Sequence, residues 1–170
     1  IDRYGRPEEV ARCAEVPDVG APGPGEVVFD VLAFPINPAD ISMCRGSYRL
    51  RPILPATPGA ECLGRVTAVG TGVTHVRPGD LVINLQRENW AQRRRVKGDD
   101  VIPVPPSIDV LEGAVLRMNP PAALLGQHDQ QPADGGVGDV LDHPIAWLEV
   151  HEVRQDELWG RWIGGYDRPL

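Results

Sequence analysis

Five prolines fall between Val31 and Cys62, and they set what this part of the chain can become. A strand opening at Val31 is expected to break at Pro35, because proline removes a ladder donor. Asn37-Pro38 reads as a helix N-cap followed by a first-turn proline, with Asp40 placed to accept from the opening backbone N–H groups. The short helix ends before Gly46, which delivers Tyr48 into a loop. Pro52, Pro55 and Pro58 then keep Arg51 to Pro58 extended. The strands on either side have to hold this loop in place.

The flanking sequence is punctuated in the same way. With 18 Pro, 19 Gly and only 5% aromatic residues, the chain suits short strands and tight turns better than a helical bundle. Strands are expected over Glu26–Phe34, apolar enough for burial on both faces, and over Glu61–Val69, with a bulge or close backbone approach at Gly64. Others follow at Leu81–Asn84, Trp90–Val96 and Val101–Val104, and Ile1–Val19 reads as a first strand pair. Turns fall at Ala21–Gly25, Gly70–Gly72 and Arg77–Asp80. The fold class is therefore mainly β: a small, partly open barrel with short helices. Ser107 is placed to cap a helix over Ile108–Arg117, with Val110, Leu111, Ala114 and Val115 on one face. Asn119-Pro120 starts another that ends at Gly126. A chain of 170 residues buries roughly 70% of its unfolded surface, enough to fold without a metal or disulfide.

Composition removes several function classes. A net charge of −7 argues against a nucleic-acid partner, and the only basic run, Arg93-Arg94-Arg95, reads as a solvated stretch of edge strand. Cys13, Cys44 and Cys62 are scattered, and His75, His128, His143 and His151 are isolated, so neither a disulfide framework nor a metal centre is expected. Ser42, Ser47 and Ser107 lack a nucleophile elbow. No membrane span or signal peptide is expected. A reducing compartment follows: the cytoplasm, or an organellar matrix if a targeting peptide has been removed.

The last quarter changes character. Residues 1–127 form the barrel domain, 128–143 a polar and glycine linker, and 144–170 a tryptophan-rich β-hairpin carrying Trp147, Trp159 and Trp162. Within the linker, Ala133-Asp134-Gly135-Gly136-Val137-Gly138 has the glycines of a nucleotide loop. It lacks the preceding strand and following helix that would bring backbone N–H groups and a helix dipole to a pyrophosphate. It reads as a plain linker. A lone hairpin is barely stable in water, so this one extends the barrel sheet or forms an interface with a protein partner or a second copy.

Several phrases recur in one order. They are Tyr4-Gly5-Arg6-Pro7, Ile36-Asn37-Pro38-Ala39-Asp40, Gly46-Ser47-Tyr48, Leu54-Pro55, Pro58-Gly59-Ala60-Glu61, Gly64 to Gly70, Pro78-Gly79-Asp80, Trp90-Ala91 and Met118-Asn119-Pro120. Jointly they resemble the GroES-like half of the medium-chain dehydrogenase/reductase superfamily, on its zinc-free enoyl reductase and quinone oxidoreductase side. The resemblance implies Tyr48 as proton donor, a role that suits a phenol neutral at pH 7. It implies Asn37 and Asp40 on the nicotinamide-facing wall, where their alternative is helix capping alone. Trp90 and Asn119 match positions near the cleft, and a buried aromatic and a helix cap explain them equally. Glu61 matches the carboxylate beside the zinc of metal-dependent relatives. The positions of the ligands read Ile36 or Asn37 and Ala60 here, so metal is not expected.

The Rossmann half is not seen in this sequence, so no cofactor is expected to bind this chain alone, and NADPH only if a Rossmann partner exists. The first functional expectation is a stand-alone GroES-like domain that binds a small hydrophobic ligand or a partner. The alternatives are an NADPH-dependent enoyl-thioester or quinone reductase whose cofactor domain lies elsewhere, a structural subunit, or a non-redox enzyme using the old cleft.

Overall fold

The computed structural model describes residues 1–118 together with the backbone of two later strands, Ala146–Glu149 and Trp162–Ile163. The linker, Asn119 and Trp159 lie outside the described residues. In chain order the elements are α1 (Pro7–Val10), β1 (Glu26–Ile36), α2 (Pro38–Cys44), β2 (Leu63–Val69), β3 (Leu81–Asn84), β4 (Arg93–Lys97), β5 (Val101–Val104), α3 (Val110–Ala114), β6 (Ala146–Glu149) and β7 (Trp162–Ile163). A single 3₁₀ turn, Gly98–Asp100, joins β4 to β5.

All pairings are antiparallel, in the order β5-β3-β2-β1-β6-β7 with β4 also on β1. The long strand β1 organises the sheet. One edge pairs β2, and the other is shared end to end by β4 at Glu26–Asp30 and β6 at Ala33–Ile36. The result is the partly open barrel expected from the sequence, and the hairpin strands extend its sheet.

Two bulges in the β1–β2 ladder set which side chains go inward. Thr67 is the extra residue on β2, between the Val28↔Ala68 and Phe29↔Val66 pairs, and its hydroxyl donates to the Val28 carbonyl at 3.2 Å. Leu32 is the extra residue on β1, between Val31↔Gly64 and Ala33↔Leu63. A one-residue insertion reverses the alternation. Val27, Phe29 and Val31 therefore share the barrel interior with Phe34, along with Val66, Val82, Val96 and Val101. Ala33, Leu63, Leu81 and Ile83 point to the opposite face, where α3 covers them with Ala114 and the half-buried Ile108, Val110 and Leu111. This is why β1 is apolar on both sides. Gly64 is where the Phe29 ring crosses the strand: a Cβ there would lie 2.3 Å from Phe29 Cδ2.

Three local expectations are corrected. The amino-terminal segment is no strand pair: Pro7 at the first helical position, followed by Glu8 and Glu9, starts α1 instead. β1 does not break at Pro35 but runs to Ile36. Pro35 lies past the last β2 pair, where a missing N–H is tolerated. The cap of α3 is Asp109 rather than Ser107. Its carboxylate accepts from the Leu111 and Glu112 N–H groups at 2.9 and 3.1 Å, and the helix is correspondingly shorter.

The basic run sits on β4 with its charges answered. Arg93 pairs with Asp30 and Asp18, Arg94 with Glu88 and Arg95 with Glu26. Among the described residues no helix is long and apolar enough to cross a membrane, and no group of three metal-ligating side chains converges.

Candidate active site around Tyr48

The site is built where β1 hands the chain to α2. Asn37 is the N-cap residue, in extended conformation, with Pro38 next. Asp40 accepts from the Asn37 N–H through Oδ2 at 3.0 Å. The Asn37 carboxamide reaches across the fold, its Nδ2 donating to Glu61 Oε1 at 3.1 Å, while Glu61 Oε2 accepts from the Met118 N–H at 2.8 Å. Asp40 and Glu61 are 1% and 0% exposed, so the capping interaction is also a buried polar wall.

Burial penalises the charged form of both acids. It pushes Glu61 up, against the opposing pull of the Met118 amide, Asn37 and the nearby Arg117 cation. It pushes Asp40 up too, against the amides of Asn37, Ala60 and Gly59 and the more distant charge of Arg87. Among the described residues Asp40 Oδ1 has no partner of ordinary hydrogen-bond geometry, so the Gly59 and Ala60 amides act on it as nearby dipoles.

After α2 the chain turns at Gly46, whose φ is +72°. Tyr48 follows, half-buried, with its N–H donating to the Ser42 carbonyl at 3.1 Å. Its hydroxyl accepts from Arg87 Nη2 at 3.2 Å, and the Arg87 guanidinium carbon lies 5.3 Å from the ring centroid. The loop tip beyond is apolar and open, with Leu50 and Ile53 51% and 94% exposed. A strap from the amino terminus fixes its two ends. The Tyr4 ring packs on Gly46 and its hydroxyl donates to the Pro52 carbonyl at 2.7 Å. Arg51 Nε donates to the Gly46 carbonyl at 2.6 Å, and the Ala56 N–H to the Ile1 carbonyl at 2.9 Å.

Trp90 stacks on Phe34 at 5.9 Å, and its N–H donates to the Pro58 carbonyl at 3.0 Å. Its buried indole Nε1 has no partner among the described residues. Gly59, at φ +112°, allows the contact: a Cβ there would sit 2.6 Å from the backbone nitrogens of both Asn89 and Trp90. Beneath lies an amide pair that the sequence reading missed. Asn84 Nδ2 donates to Asn89 Oδ1 at 2.7 Å, the Cys62 thiol donates to the same oxygen at 3.2 Å, and Asn89 Nδ2 donates to the Gln86 carbonyl at 2.7 Å.

The structure joins Asn37, Asp40 and Glu61 by hydrogen bonds, while Tyr48 meets Arg87, Trp90 stacks on Phe34, and Asn119 falls outside the described residues. Arg87 was also missed. An arginine in a polar loop carries no periodic signal, and only the fold shows it meeting Tyr48.

Residues 23–106 match the family described as "Alcohol dehydrogenase GroES-like domain". The chain is similar to the mitochondrial enoyl-[acyl-carrier-protein] reductase of Bos taurus, 40% identical over 121 residues that are 69% of this chain and 32% of that protein. A putative NADPH:quinone reductase from Bacillus thuringiensis superposes with a TM-score of 0.64 at 31% identity, over 75% of this chain and 39% of that one. The Etr1p/NADP/crotonyl-CoA complex superposes with a TM-score of 0.61 at 26% identity, over 79% and 43%. The chain covers 32% to 43% of the length of these proteins. By its motifs, fold and relatives, it belongs to the GroES-like domains of the zinc-independent enoyl reductases and quinone oxidoreductases within the medium-chain dehydrogenase/reductase superfamily.

Proposed function

We propose that this chain supplies the substrate side of a reductase acting on an α,β-unsaturated carbonyl compound, an enoyl thioester or a quinone, with Tyr48 as proton donor. The polarity of the Tyr48–Arg87 contact carries the reading. The phenol oxygen is the acceptor there, which leaves its own O–H for an acceptor in the cleft. Proton transfer breaks that O–H bond, forms a C–H bond at the α-carbon of the enolate from an enoyl thioester or an O–H bond on a reduced quinone, and leaves a phenolate beside the guanidinium. A fixed cation at the atom where charge develops lowers the barrier. The phenolate regains its proton from water.

Reduction of this kind takes a hydride from a nicotinamide. The described residues contain no glycine-rich strand–turn–helix unit and so do not fit a pyrophosphate, and no step is assigned through the cofactor here. In this reading the dinucleotide is seated by a Rossmann unit outside them. The names of the relatives, which include NADPH, NADP and crotonyl-CoA, support the substrate class. The mitochondrial name of one relative supports an organellar matrix over the cytoplasm.

The test follows nicotinamide absorbance with crotonyl thioester and with a quinone, in the presence of the dinucleotide-binding unit. Tyr48→Phe should lower kcat severely with KM nearly unchanged. Equal rates for the two proteins would remove Tyr48 from the mechanism.

A second reading has its own supporting observation. β6 lies along β1 at Ala33–Ile36, immediately before α2, so the hairpin borders the site. The domain would then bind a small hydrophobic ligand without turnover, or a protein partner or second copy through the Trp147, Trp159 and Trp162 hairpin. The native mass separates the readings: a co-purifying dinucleotide-binding subunit supports the reductase, and a dimer or other partner complex with no turnover supports the binding module.

A further inference from the structure

Among the described residues Arg6, Arg12, Arg77, Arg93, Arg94 and Arg95 form ion pairs, whereas the exposed Arg3, Arg45, Arg49, Arg51 and Arg65 do not. Two half-buried arginines, Arg87 and Arg117, are bound differently. Arg87 gives one donor to the Tyr48 hydroxyl. Arg117 gives Nη1 to the Ala60 carbonyl and to the carbonyl of Gln86, 3.3 Å away and one residue before Arg87. Among the described residues neither guanidinium lies within ion-pair distance of a carboxylate. Of the buried acids, Glu61 is bound by Asn37 and the Met118 N–H, and Asp40 accepts from the Asn37 N–H through Oδ2 alone. Arg117 feels the crowding, since burial and the positive charge of Arg87 both lower its pKa.

We propose that Arg87 and Arg117 form a receptor for a small carboxylate at the reacting end of the ligand. Each guanidinium carries five donors in a planar fork suited to a carboxylate, and among the described residues only one nitrogen of each is used. Position fixes which part of the ligand is read. An oxyanion on Arg87 lies within a few bonds of whatever the Tyr48 hydroxyl touches, so the anion belongs to the head of the ligand rather than to a distant tail. The favoured ligand is a short unsaturated acid, in preference to a neutral carbonyl compound of the same shape. The inference goes beyond the reductase reading and needs no turnover.

Calorimetric titration of the full chain with crotonate and with crotonamide, at constant ionic strength, tests it. Crotonate should bind about tenfold or more tightly than crotonamide, as expected for charge-assisted hydrogen bonds in a partly desolvated site. Arg87→Gln and Arg117→Gln should each remove that preference, and Arg93→Gln, at an arginine paired with Asp30 and Asp18, should keep it. Equal binding of the two ligands by the wild-type chain would overturn the proposal whatever the variants do, and so would a preference that survives Arg87→Gln. Sulfate competing as well as crotonate would show an unselective cationic surface and overturn it too. Crotonate preference together with no reduction of crotonyl thioester or quinone in the presence of the dinucleotide-binding unit would leave the receptor standing while the reductase reading falls. Reduction of a neutral enone with no crotonate preference would do the reverse.

Discussion

Asn37 Nδ2 donates to Glu61 Oε1 at 3.1 Å, so the residue that starts α2 is bound to the residue that leads into β2, 24 positions later. Helix capping and wall building are one interaction here. This has a consequence for pH. Glu61 and Asp40 are held above their ordinary values of 4.5 and 3.8 by burial, so the folded chain holds their protons more tightly than the unfolded one. Stability from such groups is full below the ordinary values and is lost as pH rises through the raised ones. Glu61→Gln should therefore flatten the decline in urea midpoint from pH 4.5 towards neutrality, and parallel curves for the two proteins would refute the coupling.

Gly59 has no room for a side chain. Its φ of +112° strains any other residue, and the obstructing atoms are backbone nitrogens that cannot rotate away. Gly59→Ala should cost roughly 2–4 kcal/mol in urea unfolding. A loss within experimental error would mean that the 58–62 and 86–90 segments part easily.

The three cysteines should separate by reactivity. Cys13 is exposed, whereas Cys44 and Cys62 are buried. Burial raises both buried thiols, Cys62 to about 12, and the thiolate is the nucleophile. Titration of the native chain with an aromatic disulfide at neutral pH should find one fast thiol, and titration in urea should find all three. Rapid reaction at Cys62 would show that the Asn84–Asn89 pair opens.

The amino-terminal strap predicts a protease phenotype. Arg49 and Leu50 are exposed in a loop whose ends are held by Tyr4. Tyr4→Ala should speed tryptic cleavage of the Arg49–Leu50 bond. Tyr4→Phe keeps the ring on Gly46 and loses one hydrogen bond, about 1 kcal/mol, so its effect should be smaller. Cleavage unchanged in both would leave the strap without a role in ordering Tyr48.

The short strands and the α2 cap were legible because each rests on local chemistry: β3 and β5 coincide with their apolar runs, and Asn37-Pro38 announces its helix. The amino-terminal phrase misled because apolar residues between polar ones fit a strand as well as a single helical turn, and Pro7 decides for the turn. At the site, the residues carried by motif could be named in advance. Arg87 and Arg117 could not, because their contacts with Tyr48 and Ala60 lie 39 and 57 residues away in the chain; the Asn84–Asn89 pair is only five residues apart, but its link to Cys62 spans 27. Those contacts exist only once the sheet has closed.

The extra residue at Leu32 lets one strand serve two hydrophobic compartments in succession, and this restricts how the chain can drift in length. Deleting one residue between Val31 and Ala33 would rotate Phe34 out of the barrel, separate it from Trp90 and turn the start of α2 half a pleat. Insertions at the Gly70–Gly72 or Arg77–Asp80 turns shift no such phase. Length variation in proteins built on this sheet should therefore collect in those turns and spare the middle of β1.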